Sequence, residues 1–145
     1  MDKVFHFDSP PEHYRADACV LTCFDARFDL VTRKFLKRIG IAVYDQVKIA
    51  GSAKALAAPQ SDADRAFVLG MVRTSLRLHA PGRVLLIGHN DCGAYGGAPA
   101  AAIVADLLRA AQVVQGAEPA VAVECYFADF DGIYQCAPAA ATIAQ

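Results

Sequence analysis

Short apolar runs alternate with longer amphipathic stretches along most of the chain. "ADACVLTC" has strand length and is rich in Val, Leu and Thr, which predicts a buried strand over about Ala18 to Cys23. In "LVTRKFLKRIG" the residues Leu30/Val31, Phe35 and Ile39 recur at helical spacing, and basic residues followed by Gly40 predict a helix end near 39. "YDQVKIAG" alternates well enough for a second strand ending at Gly51, and "SAKALAAPQ" reads as a loop or a short turn of helix. Ser61 with Asp64 is a capping box that opens the clearest helix, with Phe67, Met71, Thr74 and Leu78 as one face and Pro81-Gly82 as its stop. "RVLLIGH" is apolar without alternation from Val84 to Ile87, the pattern of a strand covered on both faces. Beyond Pro99, Ile103, Leu107, Ala110 or Ala111, and Val114 repeat at helical spacing, and "AVAVECYF" predicts a fourth strand. The turn signal Asp131-Gly132 and a patternless Ala-rich end follow.

Strands alternating with helices imply an α/β fold, a central, mainly parallel sheet of about four strands with helices on both faces. A chain of 145 residues fills one substantial core, so residues 1–145 read as a single domain. In such sheets ligands bind beyond the carboxyl ends of the strands. Cys23 and His89 stand at two of those ends.

Composition narrows the picture. With 55% apolar residues, 20% charged residues and a formal net charge of -1, the chain is globular in character and lacks the basic surplus of a nucleic-acid binder. The opening "MDKVFHFDSPPEHYRAD" has no apolar core of a secretory signal, which makes a cytoplasmic location the expectation. No membrane span is expected either, because Asp106 and Arg109 interrupt the Ala-rich stretch after Gly97. The 5 cysteines are an odd number, and in a reducing compartment they read as metal ligands or buried apolar residues instead of bridges. Cys19, Cys125 and Cys136 are expected in the core, and His79 at the surface near a helix end.

His89 and Cys92 lie on the turn leaving the third strand, where a bend can aim both at one point. Cys23 supplies a third ligand if the two strands are neighbours. Two thiolates and one imidazole suit zinc (Zn2+) and leave its fourth tetrahedral position for water. Beside them, Cys23, Asp25 and Arg27 alternate with Phe24 and Ala26 and would share one side of an extended segment. Alone, Asp25 could ligate the metal; Arg27 can hold it away by a bidentate, charge-assisted pair. Gly88 and Gly93 are expected to let the backbone bend around the ligands.

"CFDAR" followed by "GHNDCGA" resembles the β-class carbonic anhydrases, whose pattern is Cys-x-Asp-x-Arg and, after a strand, His-x-x-Cys-Gly. The resemblance implies Cys23, His89 and Cys92 as zinc ligands and Asp25 with Arg27 as a catalytic dyad. It also implies a zinc-bound hydroxide that attacks carbon dioxide to give bicarbonate, with a dimer as the basic unit. Phe24 and Tyr95 are candidates for a dry pocket wall by position. The resemblance runs from about Cys19 to Tyr134, and "CYFADFDGIY" is similar to the family's late strand and turn. Two features depart from the pattern: Met1 to Asp17 leaves no room for the family's usual helical arm, and Lys48-Ile49-Ala50-Gly51 replaces Arg-Asn-Ala-Gly. The expected partners are a small molecule and a second copy of the chain, as a homodimer or higher homo-oligomer, with no nucleic acid and no membrane. Three other readings stay open: a zinc hydrolase of a linear analogue such as carbonyl sulfide or carbon disulfide, a non-catalytic zinc module closed by Asp25, and a thiol redox protein using Cys19 and Cys23. The last lacks Cys-x-x-Cys spacing.

Overall fold

The computed structural model describes residues 1–137, and the Ala-rich end lies outside the described residues. Strands β1 (Ala18–Thr22), β2 (Tyr44–Lys48), β3 (Arg83–His89), β4 (Ala122–Asp129) and β5 (Gly132–Cys136) form one sheet in the order β2-β1-β3-β4-β5. The first four are parallel, and β5 returns antiparallel along β4 through a tight turn at Phe130 and Asp131. The predicted sheet of about four strands therefore gains a fifth. The Asp-Gly signal marked its turn, but "GIYQC" is too short and mixed to announce a strand by itself.

Alternation along the strands splits the interior into two layers. Ala18, Val20, Leu85, Ile87 and Tyr126 pack with Leu36 of helix α1 (Asp29–Arg38) on one face. Cys19, Leu21, Val84, Leu86, Cys125 and Phe127 face the other side, where α2 (Lys54–Ala57), α3 (Asp62–His79) and α4 (Ala100–Ala117) contribute Leu56, Val72, Ile103, Leu107 and Val114. Gly88 faces α4. A Cβ there would stand 2.9 Å from Ile103 Cγ2, so this glycine permits close packing of α4 on β3 where a bend was expected.

One helix buries a different stripe from the predicted one, and another widens it. In α3 the covered residues are Val68, Val72 and Ser75, while Phe67, at 65% exposure, Met71 and Leu78 face outward. In α1 Thr32 and Leu36 are fully covered, and Phe35 and Ile39 of the predicted stripe pack half-buried against the same cluster, while Leu30 is exposed. Both helices carry apolar residues on adjacent stripes, so spacing alone leaves the phase undecided. Polar bonds settle it in α3: Ser75 Oγ donates to Asp45 Oδ2 of β2 at 2.6 Å. The predicted cap holds, with the Asp64 N–H donating to Ser61 Oγ at 3.2 Å. By length and composition alone α4 is apolar enough to span a bilayer, even with Asp106 and Arg109 within it. Its stripe of Ile103, Leu107, Ala110 and Val114 is instead covered in the core, as predicted.

Chain direction fixes where the site falls. From β1 the chain passes through α1 to β2 on one side, then returns through α3 to β3 on β1's other side. The two crossovers leave a crevice beyond the carboxyl ends of β1 and β3, the switch point at which open α/β sheets bind ligands.

Candidate metal centre

Cys23 follows directly on β1, His89 ends β3, and Cys92 lies one short turn further on. Register places Thr22 beside Ile87, so the two strand ends are immediate neighbours. The ligand atoms of Cys23, His89 and Cys92 all lie within 4.8 Å of one another, and the two sulfurs are 3.9 Å apart.

His89 is 4% exposed. Its Nδ1 is 2.8 Å from the Asn90 carbonyl oxygen, which can only accept, so Nδ1 carries the proton and Nε2 presents a lone pair. That Nε2 is buried and has no hydrogen-bond partner among the described residues. An unpaired buried acceptor costs about 1–3 kcal/mol, a penalty that ligation removes. The Phe28 ring stacks on the imidazole with centroids 4.5 Å apart and fixes its plane. Burial raises the pKa of the Cys92 thiol, and the backbone amides of Ala94 and Gly51 act against that shift by favouring its thiolate. Two sulfurs and one oriented imidazole nitrogen form a donor set that fits zinc.

Asp25 and Arg27 meet as predicted, but by a different geometry. The chain does not stay extended; Ala26–Phe28 form a single 3-10 turn whose cap is Asp25, accepting the Arg27 N–H at 3.0 Å. The turn folds Arg27 back over Asp25. Nε donates to both carboxylate oxygens at 3.1 Å and Nη2 to Oδ2 at 2.7 Å. The guanidinium holds the Asp25 carboxyl at a pKa of about 2, and Arg27 is itself raised above its ordinary range by Asp25 and Asp91. Asp25 does not belong to the ligand-atom cluster.

Several neighbours carried no sequence signal as site residues. Asp91, read only as a turn residue, accepts from Arg27 Nη1 at 2.9 Å and offers its carbonyl to Nη2 at 3.1 Å. Asn90 Nδ2 donates to Asp129 Oδ1 at 2.9 Å, tying the β3 turn to the β4–β5 hairpin. At the tip of that hairpin, Phe130 lies 5.6 Å from Phe28, and Arg27 sits 5.8 Å from its ring. Of the two wall candidates, Phe24 is exposed and Tyr95 half-buried, so Phe28 is the aromatic side chain against the ligands. His79 is not a free surface residue: its Nδ1 is 2.8 Å from Asp45 Oδ2, and Tyr14 stacks on it at 4.1 Å. Cys19 and Cys125 are buried in the core as expected, with Cys136 half-buried beside them.

A gap of about 10 Å³ lies against the cluster, lined by Thr22, Cys23, Phe28, Thr32 and His89 among others. A groove of about 380 Å³ between α2 and α3 contains none of the three ligand residues and adjoins their loop only through Ala94. Size alone would favour the groove; chemistry favours the gap.

A family model described as "Putative carbonic anhydrase" matches residues 14–136. Among solved structures, the β-carbonic anhydrase isoform I of Trichomonas vaginalis superposes with a TM-score of 0.62 at 12% identity, covering 90% of this chain and 87% of that one. One of two tetrameric β-carbonic anhydrases from the filamentous ascomycete Sordaria macrospora gives 0.63 at 10% identity, with coverage of 86% and 82%. The apo form of a carbon disulfide hydrolase gives 0.54 at 11% identity, with coverage of 91% and 89%. At such identities the likeness is one of fold. No curated protein sequence matches the chain.

Proposed function

Because this chain belongs to the carbonic anhydrase family whose model spans residues 14–136, we propose that it hydrates carbon dioxide reversibly to bicarbonate. Zinc is the cofactor of this reading, held by Cys23 Sγ, His89 Nε2 and Cys92 Sγ. Bound there, the ion supplies the Lewis acidity that lowers the pKa of a water to about 7. Everything else falls to the chain's own side chains. Asp25, kept ionised by Arg27, accepts a hydrogen bond from the attacking water and turns its lone pair toward the substrate carbon. Arg27 restrains Asp25 from entering the ligand set. Phe28 shields the imidazole and walls the crevice with apolar surface, which suits a small apolar substrate. Two thiolates donate more charge than neutral imidazoles, so activity should rise toward alkaline pH.

The observation that carries this reading is the grouping of an orphaned, buried Nε2 with two sulfurs while the adjacent carboxylate is bound to an arginine. Stopped-flow carbon dioxide hydration, on protein of measured zinc content and across mildly acid to alkaline pH, tests it beside Cys92→Ser and Asp25→Ala. Wild-type activity that rises with pH and vanishes with zinc in Cys92→Ser supports the reading. One zinc per chain with no hydration at any pH sinks it. Turnover of carbonyl sulfide or carbon disulfide in its place would transfer the same site to a linear analogue.

The reading includes a homodimer or higher homo-oligomer. Phe24, Leu30 and Phe130 near the crevice and Phe67, Met71 and Leu78 on α3 are large apolar side chains left exposed, as subunit contacts would require. A monomer by light scattering at micromolar concentration would count against it.

A further inference from the structure

The turn from β2 into α2 braces the segment that carries Cys92, a task the catalytic reading does not use. Gly51 has φ +72, and a Cβ there would lie 3.1 Å from Ala94 Cβ, so the turn presses on the residues following Cys92. Ser52, buried and with φ 51, donates Oγ to the Leu21 carbonyl at 3.2 Å and pins the turn to β1. From this anchored turn Lys54 reaches a residue 40 positions along the chain: Nζ donates to the Ala94 carbonyl at 2.5 Å. The same ammonium lies 5.0 Å from the Tyr95 ring centroid.

The segment needs an outside support. Cys92 is followed by Gly93, a single 3-10 turn to Tyr95, and then Gly96 and Gly97 with φ 59 and 81. Three glycines in five residues give a backbone with little stiffness of its own. Yet this backbone must aim the Cys92 sulfur to within 4.8 Å of the candidate ligand atoms of Cys23 and His89. Lys54 ties it by a charge-assisted bond from a turn held to the sheet.

We propose that Lys54 is a positioning residue of the metal centre: through the Ala94 carbonyl it fixes the loop bearing Cys92. The inference rests on the metal reading above and extends it to a residue outside the Cys-x-Asp-x-Arg and His-x-x-Cys motifs. Outer partners of metal ligands commonly change affinity by about 10–100-fold when removed.

The test is zinc affinity by competition with a chromophoric chelator, on full-length wild type, Lys54→Met, Lys54→Arg and Lys37→Met. Lys54→Met keeps the apolar stem but deletes donor and charge, and should weaken binding by about 10–100-fold. Lys54→Arg keeps both and should stay within about threefold of wild type, as should Lys37→Met, which removes a charge from the exposed face of α1. Wild-type affinity in Lys54→Met overturns the inference and leaves the metal reading intact, as does equal weakening in Lys37→Met. Wild type that binds no zinc stoichiometrically overturns both. If Lys54→Met fails to fold, amide hydrogen exchange at Ala94 and Tyr95 in metal-free Lys54→Gln decides: faster exchange than wild type supports the brace, and unchanged exchange refutes it.

Discussion

Replacing Arg27 by Ala separates the proposed catalytic role of the arginine from a structural one. Arg27 is 48% exposed on its side chain, so its pairs with Asp25 and Asp91 are of the partly solvated kind, worth about 0.2–1 kcal/mol each. Its position 5.7 Å from the Phe28 ring adds a cation–π contact of about 0.5–1 kcal/mol. These contacts share one guanidinium and do not add fully, which puts the expected loss of stability at about 1–2 kcal/mol. For a chain of this size that is a fall of about 2–8 °C in Tm. The effect on turnover should be far larger. Without the guanidinium, Asp25 loses the donors that hold it beside the crevice, and misplacement of a positioning group by about 1 Å costs on the order of 100-fold. The assay is kcat/KM for carbon dioxide hydration beside a thermal melt, both at measured zinc content. Activity within about threefold of wild type would refute the assignment of Arg27 as the restraint on Asp25. A collapse in Tm with the remaining folded fraction fully active would make Arg27 a structural residue only.

Three further outcomes follow from the geometry. The Asp25 carboxyl titrates at about 2 in the fold against an ordinary value of 3.8, so its contribution to stability is complete above that ordinary value and is lost as pH falls toward about 2. Acid unfolding of Asp25→Asn should therefore lack this part of the pH dependence seen in wild type, and an unchanged profile would contradict the pairing. Gly88→Ala drives a Cβ to 2.9 Å from Ile103 Cγ2 and should cost about 1–3 kcal/mol in urea denaturation, whereas a loss below about 0.5 kcal/mol would show that α4 yields freely. Val72→Ala, on the covered stripe of α3, should cost about 1.5–3 kcal/mol while Thr74→Ala costs less than about 1, and the reverse order would reinstate the outward phase of that helix.

The parts legible in the sequence were those whose physics is local or repeated. Four strands and the principal helices announced themselves by period, and Cys23, His89 and Cys92 stood out as a candidate cluster because parallel neighbours bring distant strand ends together. Phase was harder: in α3, Phe67 and Met71 are as apolar as Val68 and Val72, and the choice rests on the Ser75–Asp45 bond to a strand 30 residues away. Asp91 reads as a turn residue because it is one, with φ 52, a conformation that Asp tolerates better than most residues. Its bond to Arg27 spans 64 positions and leaves no trace in spacing. Lys54 is hidden for the same reason, since its acceptor is a backbone carbonyl that any residue at 94 would present. His79 looked like an ordinary surface residue near a helix end until β2 supplied Asp45 beneath it.

What unites the site is that each loop at the switch point is held by a neighbour. Arg27, on the turn after β1, grips Asp91 on the turn after β3. Lys54, after β2, grips Ala94 on that same segment from the opposite side. Asn90 reaches Asp129 at the end of β4, and its amide N–H bonds the Ala128 carbonyl at 2.9 Å. The His89–Cys92 turn is thus fastened to the ends of all three other parallel strands, although three glycines follow close behind it. These fastenings lie mainly in backbone carbonyls, caps and single charged side chains outside the ligand set. Three candidate ligands on such mutually tied loops would need little rearrangement to close around an ion, and on the proposed reading that is the condition for keeping Asp25 near a reacting water without its becoming a fourth ligand.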